Sequence, residues 1–342
     1  MARLPSPTTP DPMDAPPLRW GVLAPGGIAS TFVAALQAGT RQQVVACGSR
    51  SLERAREFAS RFGGFTAYGS YDELVADPEV DVVYVASPHS GHHDLALSAL
   101  RAGKPVLVEK AFARNAAEAR EIIDEARARK LFCMEAMWSR FLPRYDVVRQ
   151  AVADGLIGTL QTIVADHGQL LYPNGPQRLT DPALAGGALL DLGIYPISLA
   201  AMFMPGELSV SASGLLTPEG VDASEVVALT GGDVLASCVS TMTGQTANTA
   251  VIAGDSARLE LDGWFYQPGP VRLVAHGDTV LDTYVPASAE HGLHFEAAEV
   301  ARRITAGETQ SPLMPWDETL RIMQIMDEVR AQLGVRFPGE PS

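Results

Sequence analysis

Along the first 140 or so positions, short, nearly continuous apolar runs alternate with stretches of helical repeat. The runs are Trp20–Leu23, Val44–Gly48, Val80–Ala86, Val106–Val108 and Leu131–Met134, several of them rich in β-branched residues. Nearly continuous apolar runs of this length predict strands buried on both faces, the habit of parallel sheets. Between them, Ile28, Phe32, Val33 and Leu36 fall on one helical face, as do Ala55, Phe58, Ala59 and Phe62 of Leu52–Phe62. Ser70 with Glu73, and Asn115 with Glu118, form capping boxes that open further helices, and Gly103 stops another, His92–Arg101. This alternation predicts an α/β fold whose N-terminal part is a Rossmann-type, doubly wound parallel sheet. Ligands of such sheets bind beyond the carboxyl ends of the strands.

The pattern changes after about position 140. Leu142–Ala153 reads as a helix and Leu160–Asp166 as a strand, followed by a glycine-led helix over Gly186–Pro196. From Leu208 onward strands dominate: Leu208–Leu216, Val226–Thr230, Val234–Ser240, Thr249–Ala253, Arg258–Leu261, Val271–Ala275 and Val280–Tyr284. Turn residues at Gly231–Asp233, Gly254–Ser256 and His276–Asp278 predict hairpins. Two helices, His294–Ala306 and Asp317–Leu333, end the pattern. The expected C-terminal domain is therefore α+β with an open, mostly antiparallel sheet. The organisation expected is 1–18 a flexible tail, 19–138 a dinucleotide-binding domain, and 139–338 a substrate-binding and dimerisation domain.

Composition narrows the partners. Hydrophobic content of 46% with 19% charged residues suits a globular chain, and a net charge of −14 argues against nucleic acid or acidic membrane surfaces. No apolar run is expected to span a bilayer, which needs about 20 residues. The cysteines, Cys47, Cys133 and Cys238, form neither a disulfide framework nor a zinc pattern, so a cytoplasmic location is expected. His89, His92 and His93 also match no zinc spacing, so no metal is expected.

The chemistry begins at the first turn. Strand, glycine-rich turn and helix N-terminus place free amides and a helix dipole where a pyrophosphate sits. Ala24-Pro25-Gly26-Gly27-Ile28-Ala29 fits G-x-G-x-x-G/A except for Ala24 in the first glycine position. About 20 residues on, where an acid would read the ribose 2′-OH of NAD, stand Ser49-Arg50-Ser51, with Arg54 beyond. Hydroxyls and arginines there favour a 2′-phosphate, so NADP is expected, with NAD as the alternate cofactor. At the other strand ends cluster Ser87 to His93, Glu109-Lys110 and Glu135. Only Lys104, Lys110 and Lys130 are lysines. Unlike arginine, a lysine shifts its pKa readily when partly buried, so Lys110 is a candidate reactive group. Asp191 and Tyr195 are four apart in a helical stretch and share a face, and a phenol can exchange a proton with an alcohol or carbonyl oxygen.

Taken in order, these stretches resemble the Gfo/Idh/MocA family, named for glucose–fructose oxidoreductase and inositol dehydrogenase. The similarity runs from Arg19 to Pro338 through Gly26–Ala29, Gly48–Ser51, Ser87–His92, Ala102–Lys110, Met134–Trp138 and Gly186–Tyr195. Tyr195, where many members carry His, resembles the branch of dimeric trans-dihydrodiol dehydrogenases and NADP-dependent D-xylose 1-dehydrogenases. The resemblance implies hydride transfer between nicotinamide and a carbinol carbon of a small polyhydroxylated substrate, a sugar or a dihydrodiol. It implies Tyr195 as acid/base, Lys110 holding the substrate oxygen and lowering the Tyr195 pKa, and Asp191 positioning one or the other. It places Ser87, His89, His92, Glu109 and Lys110 at the cofactor and Trp138, Arg178, Asp191 and Tyr195 at the substrate. It also implies a homodimer through the C-terminal sheet. Two alternatives remain open: a non-catalytic dinucleotide-binding regulator, and an NAD-assisted glycoside hydrolase. Ala111 stands where the family has proline, so the loop after Lys110 is expected to be held less rigidly.

Overall fold

The computed structural model describes residues 3–287 and 292–340. Among these, the strands in chain order are β1 (Arg19–Leu23), β2 (Gln43–Gly48), β3 (Thr66–Tyr68), β4 (Val82–Val85), β5 (Val106–Glu109), β6 (Cys133–Ala136) and β7 (Leu160–Gly168). They continue with β8 (Ser209–Leu216), β9 (Asp222–Gly231), β10 (Val234–Thr241), β11 (Ala250–Gly254), β12 (Ala257–Leu261), β13 (Val271–Ala275) and β14 (Val280–Tyr284). The α-helices are α1 (Gly27–Gly39), α2 (Leu52–Arg61), α3 (Tyr71–Val75), α4 (His92–Arg101), α5 (Ala116–Arg129), α6 (Pro143–Ala153), α7 (Ile194–Phe203), α8 (Leu293–Thr305) and α9 (Trp316–Leu333). The chain forms two compact units. The first holds Pro10–Phe141, α8 and the start of α9; the second holds Leu142 through β14, the end of α9, and the residues before Pro10.

In the first unit six strands lie in the order β3-β2-β1-β4-β5-β6, every pair parallel. The order reverses between β1 and β4, the switch point where such sheets open a crevice. The expected buried strands are buried: β4 and β5 have no exposed residue. The Phe32 ring of α1 stacks on Tyr84 of β4 at 3.9 Å, and Trp20 of β1 packs edge-on against Phe32. The Trp20 indole donates to the Gln42 side chain, so even the largest core residue has its polar atom satisfied.

The second unit is built on an eight-stranded sheet in the order β14-β13-β12-β11-β7-β10-β9-β8. All neighbours are antiparallel except β7 and β10. Strand alternation sorts the two faces. Ile163, Ala165, Ala236, Cys238, Val227 and Leu229 point inward and are buried, while Val164, Val226 and Leu235 point outward and are exposed.

Two sequence expectations need correction. The stretch before β1 does not stand free. Thr8 gives both its amide and hydroxyl to Asp146, Leu4 gives its amide to Asp282, and Ala15 is fully buried with Ala298 and Ala301. Its prolines and acids read as solvated chain because their partners lie more than 100 residues away. Helix α8, read as part of the C-terminal domain, belongs to the first unit, where it packs on α1. Pro182–Phe203 is long and apolar enough to cross a membrane by composition, with a mean hydropathy of 1.5. Of its apolar 18-residue window 89% is buried inside the structure, as in a core helix.

Candidate functional site

In the first unit the turn after β1 is held by Ala24, whose φ of +59° is left-handed and whose amide donates to the Gly48 carbonyl. An L-residue thus adopts the conformation expected of the missing glycine. Gly26 precedes α1 and no side chain caps the helix, so its first-turn amides keep their donors for an outside acceptor. A Cβ built at Gly27 would meet nothing within 4 Å, and one at Gly26 would meet only the Ala24 carbonyl oxygen at 3.9 Å. The space over the turn is open. Pro25 and Ile28 flank it.

At the end of β2, the Ser49 hydroxyl accepts the Ser51 amide at 3.2 Å, and the Ser51 hydroxyl caps α2 by accepting the Arg54 amide at 3.3 Å. Both hydroxyls accept in these bonds, which leaves each O–H as a donor. Arg50 and Arg54 are exposed. This pairing of donors and cations, with no carboxylate among them, fits a 2′-phosphate.

The remaining strand ends form one hydrogen-bonded group. Glu109, at the end of β5, accepts the Tyr84 hydroxyl and, at 3.2 Å, the Lys110 amide. The Lys110–Ala111 peptide is cis. His92 is fully buried, with one ring nitrogen 2.8 Å from the Ala111 carbonyl oxygen and the other 2.8 Å from that of Ser87. Phe112 donates its amide to Glu135 at 3.1 Å. The loop after Lys110 is therefore tied from both sides, by His92 and by Glu135, and these bonds restrain it where the proline is missing. His92, read as lining the nicotinamide, has a ring that ties two strand-end loops. His89 is buried and packs edge-on against His92. The Ser87 hydroxyl is buried with no partner, an orphan at the strand ends where a ligand's polar group would satisfy it. Burial pushes the Glu135 carboxyl up to about 7. Trp138, expected at the substrate, is 5% exposed in a turn after β6.

The second unit places Asp191 and Tyr195 differently from expectation. The helix opens with a π-helical turn over Leu189–Gly193, which carries Asp191, and Tyr195 sits in the first turn of α7. Such wide turns recur at functional sites. Asp222 of β9 holds this turn in place by accepting the amides of Ala188 and Leu189. Gly187 has a φ of +116°, and any side chain there would run into the Asp222 carboxylate. Glu225, beside Asp222, is bonded by the Ser240 hydroxyl; burial and the Asp222 charge push its carboxyl well up. The Asp191 carboxylate pairs with Arg178 at 3.2 Å, so these two predicted residues do meet.

Tyr195 lies against residues that no motif signalled. Its ring is 4.4 Å from that of Tyr266 and 5.3 Å from that of His167. His167, at the end of β7, has Nδ1 at 3.1 Å from the Leu192 carbonyl oxygen and Nε2 at 2.9 Å from the Gln169 amide nitrogen. Those partners require Nδ1 to donate and Nε2 to accept, which fixes the tautomer. Burial pushes the Tyr266 phenol upward. For His167 the only sequence signal was its place on an inward strand position; for Tyr266 there was none. Among the described residues, no cluster of three or more His, Cys, Asp or Glu is placed to hold a metal ion.

A parallel sheet with an uncapped glycine turn at its switch point, joined in one chain to an open antiparallel sheet carrying a Tyr–Asp helix start, defines a class: two-domain nicotinamide-dependent oxidoreductases. Residues 18–137 match the oxidoreductase family with an NAD-binding Rossmann fold, and residues 145–260 match the GFO/IDH/MocA C-terminal domain. The chain belongs to the Gfo/Idh/MocA family of oxidoreductases. It is 38% identical over 334 residues to the human trans-1,2-dihydrobenzene-1,2-diol dehydrogenase, covering 94% of this chain and 98% of that one. It is 36% identical over 364 residues to the NADP(+)-dependent D-xylose 1-dehydrogenase of Hypocrea jecorina, covering 94% and 93%. Among solved structures, a 3-ketoreductase from Actinomadura kijaniata in complex with NADP and TDP-benzene superposes with a TM-score of 0.83 at 28% identity, covering 93% of this chain and 98% of that one.

Proposed function

We propose that this protein is an NADP-dependent dehydrogenase that moves a hydride between the nicotinamide ring and a carbinol carbon of a sugar or a trans-dihydrodiol. The observation that carries the reading is the retention of both Lys110 and the Asp191–Tyr195 pair on a chain similar over its length to enzymes of this type. A regulator that only binds dinucleotide has no need of either. NADP, when bound, supplies the hydride acceptor or donor. The uncapped amides of α1 bind the pyrophosphate, and Ser49, Arg50, Ser51 and Arg54 the 2′-phosphate. Lys110 holds the reacting oxygen. Tyr195 takes the hydroxyl proton in oxidation and returns one in reduction. Arg178, paired with Asp191 at 3.2 Å, orients that carboxylate toward substrate hydroxyls. Buried Glu109 and Glu135 fix the main chain on either side of Lys110.

The working molecule in this reading is a homodimer. The outward apolar positions of the second sheet, Val164, Val226 and Leu235, suit a matching sheet in a second copy. A monomer by light scattering at micromolar concentration would contradict this. The three cysteines are unpaired and buried, which suits a reducing cytoplasm.

The activity is tested with a panel of aldoses and trans-dihydrodiols, following nicotinamide absorbance with NADP and with NAD. The expected result is turnover of one class with NADP at higher kcat/KM than with NAD. No reduction of NADP on any member, or a tightly held cofactor that cycles without net consumption, would overturn it.

A further inference from the structure

Among the described residues of the second unit, the buried Arg144 makes its hydrogen bonds to main-chain carbonyls and forms no close ion pair with a carboxylate. Arg144, in the first turn of α6, is 1% exposed, and the acceptors of its guanidinium are main-chain carbonyls. Its Nη1 donates to Phe265 at 3.1 Å and to Gln267 at 2.8 Å, with Trp264 at 3.4 Å; its Nη2 donates to Asp262 at 3.1 Å and Pro270 at 2.7 Å. All five acceptors lie in the loop between β12 and β13. A loop whose carbonyls turn inward cannot satisfy them with water, and a planar fork of donors can serve several at once. Gly269 makes room for the fork, since a Cβ there would stand 3.0 Å from Nη1. Burial pulls the guanidinium down to about 10, so the charge persists at neutral pH.

What this loop carries gives the cation its meaning. Trp264, at a left-handed φ of +51°, and Phe265 both pack edge-on against Tyr266. Tyr266 in turn lies 4.4 Å from the Tyr195 ring and 4.3 Å from His167. Besides these ring contacts and Arg144, the loop is held by the Phe265 amide, which donates to the Asn248 carbonyl at 2.9 Å, by the Asp262 carboxylate, paired with Arg272 at 2.7 Å, by the Gln169 side-chain amide, which donates to the Tyr266 hydroxyl at 3.4 Å, and by its internal turn from Gln267 to Trp264 at 2.7 Å. Removing Arg144 would leave five inward carbonyls without their shared donor, and the loop would have to turn them toward water, taking Tyr266 with it.

We infer that Arg144 is a positioning residue for substrate recognition: it gathers the carbonyls of the 262–270 loop so that Tyr266 is fixed against Tyr195. The inference rests on the proposed role of Tyr195. It concerns the fit of the substrate more than the proton transfer, because the Tyr195 phenol remains in place on α7.

Arg144→Lys and Arg144→Ala test it. A lysine keeps a cation but cannot reach five carbonyls; an alanine leaves a cavity the size of a guanidinium ion. The expected result for both is a KM for the carbinol substrate at least tenfold higher, with kcat within about threefold and the KM for NADP unchanged. Millimolar guanidinium, well below denaturing concentration, should restore the substrate KM of Arg144→Ala and leave that of the parent protein unchanged. Hydrogen exchange should rise in the 262–270 peptide of both variants and fall again in Arg144→Ala with guanidinium. A substrate KM within twofold of the parent, or an equal rise in the KM for NADP, would overturn the inference. So would exchange in 262–270 that stays at the parental level. If the parent turns over no substrate, the dehydrogenase reading fails; unchanged exchange in the variants then still refutes the anchoring of the loop, independently of activity.

Discussion

The strand ends of the first unit and the π-helical turn of the second hold their candidate groups by different means. At the cofactor turns and strand ends of the first unit many determinants are local, although Tyr84, His92 and Glu135 add ties around Lys110 from 25, 19 and 23 residues away. A glycine turn runs straight into α1, Ser49 and Ser51 bond each other across two residues, and Glu109 accepts the amide of its neighbour Lys110. Around Tyr195 they are remote: Asp222 holds the turn from 33 residues away, and Tyr266 covers the ring from a loop 71 positions further on. A site assembled from neighbours tolerates changes elsewhere in its unit. A site assembled from distant segments depends on the unit's whole tertiary fold, so changes to the residues that hold it in place should lose stability and activity together.

Changes in the second unit should have the largest effect. Tyr195→Phe keeps the ring contacts with Tyr266 and His167 and removes only the hydroxyl. Turnover should fall by ~10²–10⁴ with thermal unfolding nearly unchanged, as for loss of a positioned acid/base. Retained turnover on a good substrate would remove Tyr195 from the chemistry.

Next comes the buried carboxyl that pins the loop after Lys110. The folded-state pKa of Glu135 is raised by burial from 4.5 to about 7. Between those values the folded protein binds more protons than the unfolded chain, so stability falls as pH rises through this window. The contribution is fully present below about 4.5 and is lost above about 7, in all about 3 kcal/mol. In Glu135→Gln this part of the slope should vanish in denaturant titrations across the window; an unchanged slope would place the titration elsewhere.

Two glycines set the comparison directly. Gly187→Ala forces a side chain at φ +116° into Asp222, so it should cost roughly 2 kcal/mol of stability and lower kcat at the same time. Gly27→Ala opens α1 with a better helix former and meets nothing in the protein. It should leave stability unchanged or slightly raised and increase only the KM for NADP, by crowding the phosphate. Equal behaviour of the two variants would break the distinction between the units.

Smallest is the ribose end. Arg50→Ala should raise the KM for NADP about tenfold, the worth of one charge-assisted contact, and barely change that for NAD. Equal or better turnover of the parent protein with NAD would reverse the cofactor assignment.

The same contrast explains what the sequence could show. Nearly continuous runs such as Val82–Val85 and Val106–Glu109 gave away the parallel sheet because burial on both faces leaves no alternation to misread. The glycine turn, Lys110 and Tyr195 were legible because short spacings define them. The widened turn was not, since Leu189–Gly193 has the composition of an ordinary helix and its shape comes from Asp222 and the residues around it. Nothing in the spacing of Leu142–Ala153 singles out Arg144. Only the folded loop brings carbonyls from Asp262 to Pro270 around it. His92 was read by its chemistry, as an imidazole near a cofactor, and its place between two carbonyls, which makes it a tie between loops, shows only in the fold.

The central proposal is that Lys110 and Tyr195 both serve the same carbinol chemistry. A double-mutant cycle of Lys110→Met and Tyr195→Phe, measured as kcat/KM for the best carbinol substrate with saturating NADP, tests it most directly. Each single change should cost ~10²–10⁴, and the double variant should lose little more than the worse single one, as residues working as a unit do. If the two losses multiply, the residues act independently and the account of the site is wrong.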